Sequence, residues 1–136
     1  MEEYKTRSTQ QTHLLAKKIL KKLRGGDVLA LSGELGSGKT TLVQGLAKAL
    51  GITEQITSPT FVLMKIYILP KPISGITQLC HIDAYRLFSS VELASIGAQE
   101  YIGDAKTLTV IEWPERVSQL IPSRAHKLSF SHRTVS

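Results

Sequence analysis

Hydrophobic residues near the N-terminus recur at the spacing of an amphipathic helix. The apolar positions of this pattern are Leu15, Ala16, Ile19, Leu20 and Leu23. Ser8 or Thr9 can cap the helix at its start, and Gly25-Gly26 can end it, because glycine tolerates the left-handed conformation of a helix stop. The lysines of this stretch fall largely on the other side, which predicts a helix with one buried face and one exposed, basic face.

A buried strand and a second helix follow, separated by a glycine-rich loop. The apolar run at residues 28–31 predicts a short, fully buried strand. Beyond the loop at residues 33–38, a second helical pattern continues to Gly51. Its apolar positions are Leu42, Val43, Leu46, Ala47 and Leu50. The order of strand, loop and helix is typical of an α/β domain.

Two strands connected by a turn are predicted in the middle of the chain. Residues 61–69 are the first strand candidate and residues 76–82 the second. Residues 70–75 contain two prolines, a serine and a glycine, a composition typical of a turn. Neighbouring strands joined in this way form an antiparallel hairpin, so we expect a mixed sheet.

The remaining segments continue the same pattern. Residues 91–102 predict a helix with a break near Gly97, and residues 108–111 predict another buried strand. Pro114 starts a turn or a short helix, and residues 127–130 fit a last edge strand. Because no repeat, low-complexity tract or linker interrupts the chain, we predict one α/β domain over residues 1–136.

Length, charge and cysteine content narrow the classes of protein. A chain of 136 residues suits a single hydrophobic core. Its one cysteine, Cys80, excludes an internal disulfide framework and a cysteine-rich zinc site. The net charge of +6 favours an anionic partner such as a nucleotide or RNA, with a solvated basic surface as the alternative. With no signal-peptide core and no apolar run of membrane-spanning length, we expect a soluble, cytoplasmic protein.

Residues 33–40 read GELGSGKT and match the G-x-x-x-x-G-K-[ST] pattern of a P-loop. Small residues let backbone N–H groups converge on a β-phosphate, and the following helix offers the positive end of its dipole. Lys39 can reach the β- and γ-phosphates, and the Thr40 hydroxyl can bind Mg²⁺. Because a buried strand precedes the loop and an amphipathic helix follows it, we predict a nucleotide site. A glycine-rich turn with a solvated lysine is the alternative.

Acidic residues near two strand ends could complete this site. Glu112 follows the strand at residues 108–111, where P-loop proteins usually carry an aspartate. It could bind Mg²⁺ directly or through water, or it could simply face solvent. His81 and Asp83 lie two apart in a strand, so their side chains share one face. Asp83 is a candidate for the outer shell of the metal or for orienting water, whereas His81 fits a structural hydrogen bond to a neighbour.

Two further features have both a functional and a structural interpretation. Ser58-Pro59-Thr60 comes after the P-loop helix, where many nucleotide switches place a loop that senses the γ-phosphate. The same residues could form a plain turn before a strand. Trp113, the only tryptophan, could pack over the nucleotide site or anchor the end of the preceding strand.

Five motifs, in this order along the chain, resemble one known family. They are GELGSGKTTLVQGLAKALG, SPTF, HIDAYRL, IGAQEYI and VIEWPER. Over about residues 9–122 the chain is similar to the TsaE (YjeE) family. The resemblance implies a P-loop NTPase-like three-layer fold and an ATPase required for threonylcarbamoyl-adenosine modification of tRNA in bacteria. It also implies two partner proteins, the transferase TsaD and its companion TsaB, with indirect or weak contact to tRNA.

The resemblance also implies roles for individual residues. ATP binding is implied for Glu34, Leu35, Gly36, Ser37, Gly38, Lys39, Thr40, Thr41 and Trp113. Thr40 and Glu112 would hold Mg²⁺. Lys39, Asp83 and Glu112 would be the catalytic residues.

Three segments receive weaker expectations from the same resemblance. Residues 58–60 would form the switch segment, and residues 9–12 would lie near the nucleotide base. The turn around residues 71–75 looks longer than is usual in the family. Family members usually continue through another strand after the one at residues 127–130. Either any nucleotide or partner contact from that part is missing here, or the chain is a shortened form.

Two other functions fit parts of the sequence. A small-molecule kinase could use the same phosphate cradle, but it would need a lid with arginines, for which Arg86 and Arg116 are the nearest candidates. A basic RNA-binding module with a vestigial P-loop is the second alternative, although no stacking-aromatic signature of such modules is apparent. RNA contact through the lysine-rich first helix is a separate hypothesis. Its lysines are Lys17, Lys18, Lys21 and Lys22.

Overall fold

The computed structural model describes residues 8–33, 38–56, 64–85 and 96–130. These ranges contain two α-helices, five β-strands and two 3-10 segments. The helices are α1 (Thr9–Leu20) and α2 (Lys39–Ala49). The strands are β1 (Val28–Gly33), β2 (Met64–Ile73), β3 (Ile76–Asp83), β4 (Thr107–Glu112) and β5 (His126–Phe130). The 3-10 segments are Ala98–Glu100 and Pro114–Leu120.

The strands form one mixed sheet in the order β2-β3-β4-β1-β5. Strands β3, β4, β1 and β5 are parallel, and β2 pairs with β3 in the antiparallel direction. The α/β class, the hairpin and the mixed sheet are therefore confirmed. Leu31 of β1 and Asp83 of β3 are both register partners of Glu112 in β4. The carboxyl ends of these three strands consequently meet at one edge of the sheet.

The two helices cover one face of the sheet, and the 3-10 segments pack on the other. Leu31 and Val110 join the helix-side core, whereas Ile82 and Ile111 join the core on the opposite face. Val117, from the 3-10 segment Pro114–Leu120, is fully buried in the second core. In the described ranges, that side of the sheet is covered by 3-10 segments rather than by an α-helix. None of the helices in these ranges is long and apolar enough to cross a membrane.

Both helices begin where the sequence predicts. The Ser8 hydroxyl accepts a hydrogen bond from the Gln11 N–H at 3.1 Å and caps α1. α1 ends before the predicted glycine pair, because the Leu23 N–H donates to the Leu20 carbonyl at 3.0 Å and tightens the chain into a 3-10 turn. α2 begins after Gly38, whose φ of +103° is a left-handed conformation that glycine adopts without strain.

The hairpin differs from its prediction in the position of the turn. β2 continues through Pro70 to Ile73, and the turn consists of Ser74 and Gly75, with φ of +50° and +79°. Two residues at positive φ are typical of the tight turns that join twisted antiparallel strands. The prolines fit a strand because β2 is an edge strand, where a missing N–H breaks no ladder hydrogen bond. The prediction that the turn begins at residue 70 is therefore wrong, since the turn consists of residues 74 and 75.

The break predicted near Gly97 is confirmed, whereas the helix predicted to continue from it to residue 102 is wrong. Residues 91–95 lie outside the described ranges. Beyond them, only Ala98–Glu100 has helical character, and it is a 3-10 turn. Gly97 and Gly103 flank it with φ of +85° and +84°. These left-handed residues break the helical path on both sides of the turn.

Gly45 allows α1 and α2 to pack closely. A Cβ atom at this position would lie 2.9 Å from the Ala16 Cβ and 2.9 Å from the His13 Cδ2. Glycine inside a helix is less favourable than alanine by about 1 kcal/mol. The close approach of α1 and α2 explains why a glycine is suitable here. α2 begins with Lys39 and Thr40, which belong to the site described below.

We expect Gly45→Ala to lower the free energy of unfolding by about 1–3 kcal/mol, because the overpacking outweighs the gain in helix propensity. Equilibrium urea unfolding measures the change. Lys48→Ala, at an exposed position of the same helix, is the matched control and should change stability by less than about 0.5 kcal/mol. An unchanged or increased stability of Gly45→Ala would contradict the tight contact between the helices.

Candidate nucleotide site

The candidate site lies at the edge of the sheet where β1, β3 and β4 end. α2 begins at this edge with Lys39 and Thr40, β3 ends with Asp83, and β4 ends with Glu112. Ligand sites of open α/β sheets usually lie outside the carboxyl ends of the strands. The predicted catalytic and metal-binding residues therefore come from three different elements that converge at one place.

Lys39 is 4% exposed although it carries an ammonium group. Its Nζ donates a hydrogen bond to the Gly33 carbonyl at 2.7 Å and lies 3.6 Å from the centre of the Trp113 ring. Burial lowers the pKa of this ammonium, and the negative charges of Glu112, Glu115 and Asp83 oppose the shift. An ammonium that has lost water, and that within the described residues has one hydrogen-bond acceptor for its three N–H donors, is well suited to bind an anion.

The backbone around the loop also favours an anion. Gly38, the N-cap of α2, makes no side-chain cap hydrogen bond within the described ranges. The first N–H groups of α2 thus have no competing side-chain acceptor there, and the helix dipole adds positive potential. On the other side of the loop, a Cβ on Gly33 would lie 2.3 Å from the Phe130 carbonyl oxygen. Only glycine lets β1 pass this close to β5 where the loop begins.

Glu112 is held by hydrogen bonds to both of its oxygens. His81 Nε2 lies 2.6 Å from Oε2, and the Thr40 hydroxyl donates to Oε1 at 3.4 Å. Glu112 is 3% exposed and His81 is fully buried. The alternative that Glu112 is a carboxylate facing solvent at the end of a strand is therefore excluded. The prediction that His81 and Asp83 share one face of β3 agrees with their common burial at the helix side of the sheet.

Thr40 and Glu112 present the oxygen ligands that Mg²⁺ prefers. Two ligands about 2.1 Å from an octahedral ion are roughly 3 Å apart at an edge of the octahedron, and these two oxygens are 3.4 Å apart. Among the described residues, no group of three or more histidine, cysteine, aspartate or glutamate side chains could enclose a metal ion. This suits Mg²⁺ at a P-loop, because there the ion keeps several waters and bonds to phosphate. The residues present therefore fit the ion.

Asp83 lies beside Glu112 at the edge of the sheet. The two residues are register partners in β3 and β4. The Asp83 Oδ1 accepts a hydrogen bond from the Tyr85 N–H at 3.0 Å, which fixes the carboxylate against the turn that follows β3. Asp83 is 9% exposed, so it retains some access from the solvent side of the site.

Trp113 connects the end of β4 to the site. Its backbone has φ of +60° and ψ of +52°, a left-handed conformation that is unusual for a tryptophan. The Trp113 N–H donates to the Leu31 carbonyl at 3.1 Å. Its ring packs at 48° against the Tyr85 ring, with centroids 4.9 Å apart. The sequence leaves open whether Trp113 packs over the nucleotide site or anchors the end of the strand. The position of its ring beside the Lys39 ammonium agrees with packing at the site.

Two further side chains contact the predicted site residues. The predicted hydrogen bond of His81 to a neighbour is confirmed, and that neighbour is the Glu112 carboxylate. The Tyr85 ring packs against Trp113, a contact that the sequence does not predict. The spacing of His81 and Asp83, two apart in β3, is the signal that places them on one face, whereas Tyr85 lies beyond the end of this strand. The sequence does not show that β3 pairs with β4, and the contacts between the side chains of these strands depend on that pairing.

Several predicted site residues lie outside the described ranges. They are Glu34, Leu35, Gly36, Ser37, Ser58, Pro59, Thr60 and Arg86. Thr41 is half-buried in the first turn of α2. Near the predicted base region, the Thr12 hydroxyl donates to the Ser8 carbonyl within the first turn of α1. Arg116, the other candidate for a kinase lid, lies over the Tyr85 ring, with 5.8 Å between its guanidinium carbon and the ring centre.

Comparison with known proteins identifies the family. The family model for the threonylcarbamoyl adenosine biosynthesis protein TsaE matches residues 6–136. A tRNA threonylcarbamoyladenosine biosynthesis protein TsaE of Treponema pallidum is 43% identical over 117 residues, which cover 86% of this chain and 82% of the relative. The protein of the same name from Bacillus subtilis is 34% identical over 120 residues, which cover 88% and 71% of the two chains.

A solved structure supports the same assignment. The crystal structure of Bacillus subtilis YdiB aligns with a TM-score of 0.76 at 28% sequence identity, covering 97% of this chain and 77% of that chain. The predicted fold is thereby confirmed by a second observation. The chain belongs to the TsaE family, whose members named above are tRNA threonylcarbamoyladenosine biosynthesis proteins.

Proposed function

We propose that this protein is a cytoplasmic, Mg²⁺-dependent ATPase that acts in tRNA threonylcarbamoyladenosine biosynthesis together with the transferase TsaD and its companion TsaB. The observation that carries the proposal is the hydrogen bond of the Thr40 hydroxyl to Glu112, next to the buried Lys39 at the start of α2. Membership of the TsaE family supports a role in tRNA threonylcarbamoyladenosine biosynthesis. The P-loop pattern GELGSGKT supports a nucleotide as the ligand.

Lys39 binds the β- and γ-phosphates in this proposal. In the structure its ammonium donates to the Gly33 carbonyl, and phosphate oxygens would replace that acceptor with stronger, charged ones. The N–H groups at the start of α2 bind the same phosphates. Trp113 keeps water away from one side of the ammonium, which strengthens its attraction to an anion.

Thr40 and Glu112 hold Mg²⁺, Glu112 either directly or through water. When bound, the ion would neutralise the negative charge that develops on the phosphate oxygens. Asp83 orients the attacking water and accepts its proton as the bond between the β- and γ-phosphates breaks, so that ADP and inorganic phosphate result. The position of Asp83 next to Glu112 at the edge of the sheet supports this role.

We further propose that hydrolysis by the isolated protein is slow. P-loop enzymes gain several orders of magnitude in rate from an arginine that contacts the transferring phosphoryl group. Arg116 is engaged with the Tyr85 ring, and no arginine motif of the sequence suggests such a finger. TsaD and TsaB would therefore complete or order the site.

The end of the molecule opposite the site is basic and supports a weak contact with tRNA. Its exposed cations are Lys17, Lys18, Lys21, Lys22, Arg24, Lys48, Lys71 and Lys106. The segment after α1 meets the hairpin turn and the start of β4 at this end, because Gly25 N–H donates to the Ser74 carbonyl and Gly26 N–H to the Thr107 carbonyl. The segments that carry these cations thus meet at one end of the sheet, and a cluster of cations is what a contact with RNA phosphates requires.

Lys39→Ala should weaken Mg²⁺-ATP binding by about 100-fold, because two charge-assisted contacts to phosphate are lost. Isothermal titration calorimetry measures the affinity. Lys65→Ala, an exposed lysine of β2, is the control and should bind ATP as the unchanged protein does. Equal affinity of the Lys39→Ala protein would remove the basis for the phosphate site.

The ATPase proposal is tested by measuring phosphate release from the protein alone, with TsaD and TsaB, and with tRNA added. We expect a low rate alone and a rise with the two partners. Glu112→Gln should reduce the stimulated rate by about 100-fold, since it removes a charged ligand. Glu100→Gln makes the same chemical change at an exposed position of a 3-10 turn and should leave the rate unchanged. Parent-like turnover by Glu112→Gln in all arms would exclude its metal role.

A weak contact with tRNA through the basic end should show in the salt dependence of binding. We expect the double charge reversal Lys17→Glu and Lys21→Glu to weaken tRNA binding and to reduce the slope of log affinity against log salt by about 2. Lys65→Glu with Lys127→Glu changes the net charge equally at other exposed positions and is the control. Filter binding at several salt concentrations distinguishes them, and identical slopes for both doubles would rule out this contact surface.

A further inference from the structure

The sequence does not explain why a histidine contacts Glu112 inside the protein. His81 is fully buried in β3, and its Nε2 lies 2.6 Å from the Glu112 Oε2. Its other ring nitrogen, Nδ1, is buried and has no hydrogen-bond partner among the described residues. A buried polar atom without a partner reduces stability by about 1–3 kcal/mol. A ring placed only to fill the core would be better replaced by an apolar side chain.

The hydrogen of this contact can be assigned from the chemistry of the partners. A carboxylate can only accept hydrogen bonds. We therefore assign the hydrogen to His81 Nε2, which donates to the Glu112 Oε2. This bond occupies one of the two carboxylate oxygens and fixes the plane of the group. The second oxygen, Oε1, is the one that lies 3.4 Å from the Thr40 hydroxyl.

We propose that His81 is a positioning residue that turns the Glu112 carboxylate so that only Oε1 is presented to the Mg²⁺ held with Thr40. This inference rests on the proposed function of the site. His81 acts through Glu112 and does not contact the nucleotide, because it is fully buried and its Nε2 is already bonded. Hydrogen-bond partners of metal ligands commonly set metal affinity by 10–100-fold.

The strand pairing explains why a histidine can perform this role. In the register of β3 and β4, His81 is the partner of Val110, and Asp83 is the partner of Glu112. The imidazole therefore reaches diagonally along the sheet to the residue two positions further on. The distance of 2.6 Å between Nε2 and the Glu112 Oε2 shows that a histidine side chain spans this diagonal. A shorter side chain at position 81 would leave the carboxylate without its donor.

Two variants separate positioning from simple core filling. His81→Gln places an amide N–H near the position of Nε2, and His81→Leu keeps a similar volume without any donor. The measurement is the affinity for ATP with saturating Mg²⁺ and in EDTA, together with the Mg²⁺ concentration that gives half of the ATP-dependent increase in melting temperature. Both measurements are independent of turnover.

We expect His81→Leu to raise the half-saturating Mg²⁺ concentration by about 10-fold while its ATP affinity in EDTA stays within about 2-fold of the unchanged protein. His81→Gln should restore the Mg²⁺ requirement to within about 3-fold. Unchanged Mg²⁺ dependence in His81→Leu would overturn the proposal. An equal loss of ATP affinity with and without Mg²⁺ would also overturn it, because that result indicates a structural role.

The remaining outcomes are also decisive. If His81→Leu does not fold, His81→Asn replaces it, since its shorter amide cannot reach Glu112 but keeps the position polar. His81→Asn should then show the raised Mg²⁺ requirement, and equivalence of the Asn and Gln variants would contradict positioning. Absence of any Mg²⁺-dependent ATP binding by the unchanged protein would instead contradict the proposed function itself. The two failures are therefore distinguishable.

Discussion

The burial of charge at the end of the sheet is the constraint on which the candidate site depends. Glu112 and Lys39 are 3% and 4% exposed. Burying an unpaired charge is strongly unfavourable, so each must be compensated by neighbours. Glu112 has His81 and Thr40 as hydrogen-bond partners. Within the described residues, the Lys39 ammonium contacts the Gly33 carbonyl and the face of the Trp113 ring, and the negative charges of Glu112, Glu115 and Asp83 act on it. The buried acid and the buried lysine therefore compensate each other at the same edge of the sheet.

The fold serves this arrangement by fixing the elements that carry each charge. Two backbone hydrogen bonds fix the position of Glu112. Its carbonyl accepts from the Ala84 N–H at 3.0 Å, and the N–H of the next residue, Trp113, donates to the Leu31 carbonyl at 3.1 Å. These two bonds fasten the end of β4 to both neighbouring strands. α2 is held in turn by its close packing on α1 at Gly45. The positions of the charged groups thus follow from backbone pairing and helix packing more than from the charges themselves.

Most of the framework could be predicted from the sequence, because it depends on local patterns. The apolar run at β1, the periodicity of α2 and the P-loop glycines each carry their own signal. The hairpin turn was misplaced because Pro70 and Pro72 usually mark turns, and only the position of β2 at the sheet edge makes them acceptable in a strand. The contact of His81 with Glu112 could not be predicted, since it depends on which strands are neighbours and in which register.

The two anion-binding surfaces of this protein, one proposed at each end of the sheet, are too far apart to influence each other directly. β1 contains 6 residues, so the ends of the sheet are separated by roughly 20 Å. Charges this far apart are largely screened at physiological salt, where the Debye length is about 8 Å. No direct electrostatic effect of one proposed surface on the other is therefore expected. α2 is the element that connects them, because the helix begins with Lys39 at the site and reaches Lys48 at the basic end. Its tight contact with α1 at Gly45 joins it to the helix that carries Lys17 and Lys18, so a mechanical link between the two surfaces would run through these two helices.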